Sequence, residues 1–490
     1  MIVTRAEQLD RALIAAVARG ESRLTLADGL LAEVGENRRR VLRDLDGDQP
    51  VYGVNTGMGA LAGVRLDAEA QQRHQDTLMT GRAVGSAPWL RREEARALLA
   101  VRLRTLLHPA AGSSPELCRH LAALLDADVV PAVPARGSGA AGEIIPLAHA
   151  GAALNGTGQV LDATGTAIDA AEALAAAGLS PRSFAAKEGV AFLEGVPGLT
   201  GLAILAADAS RVLLKQALLV TAASHAVARA SRDPLHPALA DSPELATVLD
   251  ALRGLLHEQS EGKLQAPVSF RVTAPALAVA LRAVAALEAA ADRALAAVTD
   301  SPAHLDGRFV GTAGFAGTDL VACAGALTTA LLHLAELGTA RLHRLLDPEV
   351  TGLPRQLSDA PGRHAGLVAV HKRAVGVTHR LRRFAVPALG GAMETSLGQE
   401  DVQSFGFEAA ECLGEAVAGV RDGLACELLA VHQAVRLGGP PAGLDRAALA
   451  ALDEVAAVLP PGTGDRPFGR DLDAISALLK AGWPHGEANG

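Results

Sequence analysis

The sequence predicts a mainly α protein, and three observations carry that prediction. Aromatic residues make up only 2% of the 490 residues while apolar residues make up 49%. Ala and Leu fill the difference, and small side chains let helices approach closely. Apolar residues recur at steps of three and four over long stretches, with few alternating runs, and those stretches end at strong stop signals.

Taken in chain order, residues 93–107 and 199–229 read as helices. Over 275–298, Leu277, Leu281, Val284, Leu287, Ala291, Leu295 and Val298 lie on one face, and Asp300-Ser301-Pro302 stops the run. Over 320–347, Leu327, Leu331, Leu334, Leu342 and Leu345 do the same, with Asp347-Pro348 as the stop. Short strands are expected around "GQVLDATGTAI", and Asn155-Gly156-Thr157 reads as a turn. The segment "GGPPAG", Gly438 to Gly443, reads as a linker. The expected organisation is a smaller mixed N-terminal region over 1–200, a central bundle of long helices over 201–437 and a helical tail over 444–490.

Charge and composition exclude several functions. The net charge of −9 gives no basic domain for nucleic acid. The opening "MIVTRAEQLDRALIAAVARGESR" carries acids early and no apolar core of signal-peptide type. No uncharged apolar run of 18 residues is expected to span a membrane. The expectation is a cytoplasmic protein of enzyme size, with neither nucleic acid nor membrane as partner. Cys118, Cys323, Cys412 and Cys426 are scattered, so buried reduced thiols are expected and no metal site. Between Asp359 and Glu394 there is no acid, while Arg363, Lys372, Arg373, Arg380, Arg382 and Arg383 accumulate. Such a run is a solvated or subunit-facing helix face, or a docking patch for an acidic partner around 371–383.

Two loops stand apart from the helices. In "VYGVNTGMGALAG", Val51 to Gly63, glycines alternate with Asn55 and Thr56, and Tyr52 is the single tyrosine of the chain. A tyrosine on such a loop is a packed residue or an acid–base group. In "GSGAAGEIIPLAH", Gly137 to His149, His149 ends an apolar run and reads as a packing histidine.

These two loops, with three later segments, resemble the histidine/phenylalanine ammonia-lyase family of aromatic amino acid lyases. "YGVNTGMG" resembles the family's catalytic-tyrosine loop, and "GSGAAGEIIPLAH" the loop that makes its prosthetic group. "LSPRSFAAKEGVAFLEG", Leu179 to Gly195, resembles the stretch ending in an active-site asparagine. "LQAPVSFR", Leu264 to Arg271, resembles the glutamine-and-arginine segment, and "GQEDVQSFG", Gly398 to Gly406, the one with an active-site glutamate. The resemblance runs from "LTLAD" (Leu24 to Asp28) to about residue 435. It implies a long-helix bundle of the aromatic amino acid lyase type, a homotetramer, and active sites shared between subunits.

The family's Ala-Ser-Gly triplet cyclises and loses water to give methylidene-imidazolone, an electrophile. Here the triplet reads Ala140-Ala141-Gly142, in a loop one residue shorter than the family's. A methyl group cannot leave, so the prosthetic group is expected to be absent and no cofactor is expected. Ser138, between Gly137 and Gly139, is the one residue that could supply a displaced group. Glu143 stands for the usual aspartate and reads as an orienting residue. Arg82 falls where the resemblance implies a catalytic histidine, Glu194 where it implies asparagine, and Val268 where it implies a second tyrosine. An arginine stays charged and cannot shuttle protons as histidine does.

The resemblance therefore implies Tyr52, Arg82 and Glu400 as catalytic residues. It implies Arg271, Gln265, Glu194, Phe315 and Asn55 as substrate-binding ones, with Arg271 gripping a carboxylate. If Arg82 and Glu194 share a pocket they can pair there; otherwise Glu194 is a surface or helix-end residue. The expected function is a divergent lyase acting on a small amino or carboxylic acid, free or carrier-bound, by C–N or C–O elimination, conjugate addition or cyclisation. The competing expectations are an ordinary ammonia-lyase with a displaced prosthetic group and a non-catalytic ligand-binding homologue.

Overall fold

The fold was taken from a computed structural model, which describes residues 1–45, 49–257 and 264–485. The last residues of the expected tail, 486–490, lie outside them. Helices dominate, and the four longest are Pro197–Val227, Thr273–Ala296, Thr318–Leu345 and Gly406–Gly438. The helices expected at 93–107, 199–229, 275–298 and 320–347 are observed at Arg92–Leu106, Pro197–Val227, Thr273–Ala296 and Thr318–Leu345.

The chain forms two compact units, and neither is one continuous stretch. The first takes Met1–Leu205, Leu287–Ala324 and Pro387–Glu411; the second takes Ala206–Ala286, Gly325–Val386 and Cys412–Gly490. The break expected after residue 200 falls inside the unbroken helix Pro197–Val227. The C-terminal tail belongs to the second unit.

In the first unit the central element is the helix Arg92–Leu106, buried on nearly every side. Its Arg96 donates to the carbonyls of Val17 and Ala18 at the end of the helix Arg11–Ala18. It also donates to Leu125 near the end of the helix Pro115–Asp126. One guanidinium thus satisfies the orphan carbonyls of two helix ends. Gly201 brings another helix against the central one: a β-carbon there would lie 2.9 Å from the Ala97 backbone, so only hydrogen fits. Strands are short. Val130–Pro131, Gln159–Leu161 and Ala167–Asp169 form an antiparallel sheet in that order, which matches the strands expected around "GQVLDATGTAI".

The second unit is held by a buried polar knot. Arg341 clamps Glu427 through Nε at 2.7 Å and Nη2 at 2.8 Å. Ser224 donates to the same carboxylate at 2.7 Å, and Arg341 Nη1 donates to Thr273 at 2.7 Å. In the basic stretch, Arg373 pairs with Asp422 and Arg380 with Glu415, both at 2.7 Å, so part of it faces a neighbouring acidic helix.

The expectation for the cysteines is corrected. Cys118 and Cys426 are buried thiols, but Cys323 and Cys412 are only half-buried, and none is in a disulfide. Three segments, Glu188–Val227, Thr273–Ala296 and Gly314–Leu345, are long and apolar enough to cross a membrane by length and composition. Ala, Leu and Val fill them, yet every 18-residue stretch within them still holds a charged residue, as the sequence implied. The apolar window of Glu188–Val227 is 89% buried within the chain, as expected of a helix in a protein core.

Removing one member of the Arg341–Glu427 pair leaves the other charged and buried, at a cost of roughly 3–5 kcal/mol. Glu427→Ala is expected to lower the thermal midpoint markedly in a calorimetric scan, whereas the exposed pair Arg73–Glu69 can be broken with almost no effect.

Candidate active site

The Tyr52 loop is irregular but fully anchored. Asn55 accepts the Val51 N–H at 2.7 Å, donates to the Gln49 carbonyl at 3.0 Å and accepts from Arg65 at 3.2 Å. Its amide is thus turned onto the loop itself. The Tyr52 hydroxyl accepts the Gly59 N–H at 2.8 Å, which leaves its own proton free to point elsewhere. Gln75, only 1% exposed, donates to the Gly53 carbonyl at 3.0 Å and accepts the Val190 N–H at 3.1 Å. One side chain therefore ties the tyrosine loop to the short helix Glu188–Leu193, whose C-cap is Glu194. Gln75 sits on the helix Ala68–Arg82, so the same element delivers Arg82.

Glu194 is fixed through its backbone. Its carbonyl accepts from Arg102 Nη2 at 2.6 Å, while Arg102 Nη1 donates to Ala191 at 3.1 Å. The next residue, Gly195, has φ +106°, a region open to glycine, and it turns the chain into the helix Pro197–Val227. The Glu194 carboxyl itself, on a residue 6% exposed, receives no hydrogen bond or ion pair from any described residue. Beneath it Lys187, fully buried and at φ +71°, pairs with Asp300 at 2.6 Å.

The Ala140-Ala141-Gly142 loop is held at both ends. Glu143 accepts the N–H of Gly198 and of Leu199, each at 2.6 Å, which caps the helix Pro197–Val227 with a negative group. The Ala141 N–H donates to Glu400 Oε2 at 3.4 Å, and Thr395 donates its hydroxyl to the same oxygen at 2.8 Å. A β-carbon on Gly142 would stand 3.2 Å from the Phe315 carbonyl and 3.5 Å from that of Gly195. At Gly137 and Gly139, either side of Ser138, no atom lies within 4 Å of such a carbon. The packed end of the loop is Ala141-Gly142, and the Ser138 end is open. His149 accepts the Gly85 N–H at 2.9 Å and lies near the Trp89 ring, a packing histidine as its context implied.

The first unit thus gathers Tyr52, Arg82, Glu194, Glu400 and Phe315 around the Ala141-Gly142 backbone. Arg82 is half-buried, is influenced by Tyr52, Glu194 and Glu400, and makes no ion pair among the described residues. Direct pairing with Glu194 is therefore not what holds it. Burial, then the repulsion of Asp300 and Glu400, pushes the Glu194 carboxyl up to about 8, against the pull of Arg102 and Lys187. Burial raises Glu143 to about 7, opposed by its two backbone donors. Burial also raises the Tyr52 phenol, aided by Glu194 and Glu400 and opposed by the Gly59 N–H and Arg82. At neutral pH Glu194 is mostly protonated and Tyr52 is the phenol, while the Arg82 guanidinium makes no ion pair among the described residues.

Gln265 and Arg271 belong to the second unit. Both are exposed there and touch each other, Arg271 Nη1 to Gln265 Oε1 at 3.3 Å. Val268 is also exposed at that surface. Sequence reasoning missed Gln75, Arg102, Lys187, Asp300 and Thr395. Arg102 lies two residues from Arg104 and Lys187 next to Glu188, so neither stands out locally, and Gln75 and Thr395 carry no signal either.

A carboxyl raised by folding keeps a proton that the unfolded chain releases above its ordinary range near 4.5, so it loses stability as pH climbs towards 8. Glu194→Gln removes that loss. The variant is expected to melt higher than the parent at pH 8 and nearly level with it at pH 5, measured by differential scanning fluorimetry.

A profile of the family described as aromatic amino acid lyase matches residues 9–457. The chain is 34% identical over 486 residues to a histidine ammonia-lyase of Streptomyces coelicolor, covering 96% of this chain and 94% of that one. It is 33% identical over 508 residues to a probable histidine ammonia-lyase of Halobacterium salinarum, covering 98% and 96%. Among solved structures, a tyrosine aminomutase from Streptomyces globisporus superposes with a TM-score of 0.92 at 25% identity, covering 98% of this chain and 97% of that one. A histidine ammonia-lyase from Trypanosoma cruzi shares the fold, with a TM-score of 0.90 at 24% identity over 98% and 93% of the two chains. With the profile spanning most of its length and relatives above 30% identity covering nearly all of it, this chain belongs to the aromatic amino acid lyase family.

Proposed function

We propose that this chain is a lyase that acts on a small amino or carboxylic acid without a methylidene-imidazolone group. The observation that carries the reading is Ala141. It is the middle residue of the triplet, it donates its N–H to Glu400, and its side chain is a methyl group. Cyclisation of a triplet to that group needs a hydroxyl at this place to leave as water. The residues present therefore do not fit the group. Ser138 is displaced to the open end of the loop, away from Phe315 and Glu400.

The reaction then depends on the chain's own groups. Tyr52 moves a proton; burial keeps it a phenol at rest, and the Gly59 N–H and Arg82 ease its ionisation. Arg82 stabilises negative charge developing on the substrate, as a fixed cation in a half-buried site. Arg271 is the group for a substrate carboxylate, a fork suited to two parallel hydrogen bonds. Such a site suits elimination next to an acidic C–H, its reverse, or cyclisation. A homotetramer whose sites are shared between subunits, working in the cytoplasm, completes the reading; the exposure of Gln265 and Arg271 on the second unit agrees with it.

The second reading is an ordinary ammonia-lyase with its electrophile formed elsewhere, and it is favoured by the names of the relatives at 33–34% identity. The two readings differ in one reactive carbon. Sodium borodeuteride should leave no deuterium on the purified chain, and its spectrum should show only its two tryptophans, one tyrosine and nine phenylalanines above the peptide band. Deuterium uptake at the loop, with an added absorbance band, would favour the second reading. Tyr52→Phe is expected to lower turnover by about 10²–10⁴-fold, the range for loss of a proton-transfer group; a fully active variant would remove Tyr52 from the mechanism.

A further inference from the structure

Glu194 is the group in the site that no local contact explains. Carboxylates are almost never buried without a partner, because desolvation of the charged form is costly. Glu194 is a buried residue whose carboxyl has no hydrogen-bond donor among the described residues and whose oxygens are not fully enclosed, although Lys187 and Arg102 are close by. Both cations are committed elsewhere: Lys187 to Asp300, and Arg102 to the carbonyls of Ala191 and Glu194. Two acids, Asp300 and Glu400, flank it, and Tyr52 and Arg82 share its site. Its backbone lies against the triplet, since the Gly195 carbonyl is 3.5 Å from the β-position of Gly142. The surroundings favour a carboxyl that keeps its proton, in the same site as Tyr52 and Arg82.

Resting on the reading of a lyase without the electrophile, we propose that Glu194 is the general acid of this site and that the group it protonates is a leaving oxygen. An ammonium group leaves as neutral ammonia and needs no added proton. A hydroxyl leaves as hydroxide unless an acid protonates it, so a proton donor points to C–O cleavage and a hydroxy acid as substrate. The balance closes. Tyr52 first gives its proton to solvent; the phenolate then takes the proton from carbon, that electron pair forms the C=C bond, and the C–O bond breaks. The Glu194 proton goes to the departing oxygen, giving water. Tyr52 is then protonated and Glu194 ionised, and Glu194 takes back one proton from solvent, which restores the resting state.

The sign of the pH dependence follows. Elimination needs the phenolate together with the protonated carboxyl, a form whose share rises with pH up to about 8 and then levels off, while addition of water needs the ionised carboxyl with the neutral phenol and also rises through about 8.

The test has two parts and uses the intact protein. Infrared difference spectra between pH 6 and pH 9.5 should show a protonated-carboxyl band that is lost near pH 8 in the parent, is missing in Glu194→Gln, and remains in Glu400→Gln. Then trans-cinnamate, 3-(imidazol-4-yl)acrylate, acrylate and fumarate are each incubated with the protein in H₂¹⁸O containing ¹⁵N-ammonium. The expected product is an oxygen-18 adduct, formed at least about 10²-fold more slowly by Glu194→Gln. A missing band overturns the proposal. So does a nitrogen-15 adduct, the absence of an oxygen adduct from all four acids, or equal rates in the variant. Failure of the underlying reading would look different: a dehydrated chain that takes up deuterium from borodeuteride, whatever the infrared band does.

Discussion

The site depends on one contact, the Glu143 carboxylate on the first turn of the helix Pro197–Val227. Two backbone N–H groups of that turn, Gly198 and Leu199, have no partner within the helix, and Glu143 satisfies both at 2.6 Å. The contact exists because residue 198 is glycine: a β-carbon there would lie 2.8 Å from Glu143 Oε2 and 2.7 Å from the Phe407 ring. Glu143 directly follows Gly142, so capping the helix also fixes the triplet. From there the Ala141 N–H reaches Glu400, and the Gly142 backbone meets the carbonyls of Phe315 and Gly195.

Around that fixed backbone, local networks impose separate demands on each charge. Gln75 sets the distance between the tyrosine loop and the helix carrying Glu194. Arg102 holds the Glu194 peptide without neutralising its carboxyl, and Asp300 takes the one nearby lysine. Arg82 is left without a carboxylate partner. Uncompensated groups of this kind are expensive in a core and are common where a ligand supplies the missing partner. Loops and capping contacts hold the Ala140-Ala141-Gly142 backbone in place, and the side chain of its middle residue is a methyl group.

Much of this was legible from the residues. The long helices showed their period and their stops, and all four appear within two residues of the expected ends because a wide apolar face leaves little freedom in register. Tyr52, Arg82, Glu194, Glu400 and Phe315 could be placed in one site by resemblance, and the first unit brings them together. The folding units could not be read, since long helices contribute to both and no linker marks the division. The inward turn of the Asn55 amide was also hidden: an asparagine on a glycine-rich loop reads alike whether it holds a ligand or the loop. Gln75 and Thr395 act through partners distant in sequence, which no local pattern reveals.

Everything proposed for the site requires that the triplet remains an ordinary peptide. The most direct measurement is tandem mass spectrometry of a proteolytic fragment containing residues 137–149, read residue by residue. Unaltered masses for Ser138, Ala140, Ala141 and Gly142 are the predicted result. A fragment lighter by water, with the loss confined to that loop, would contradict it.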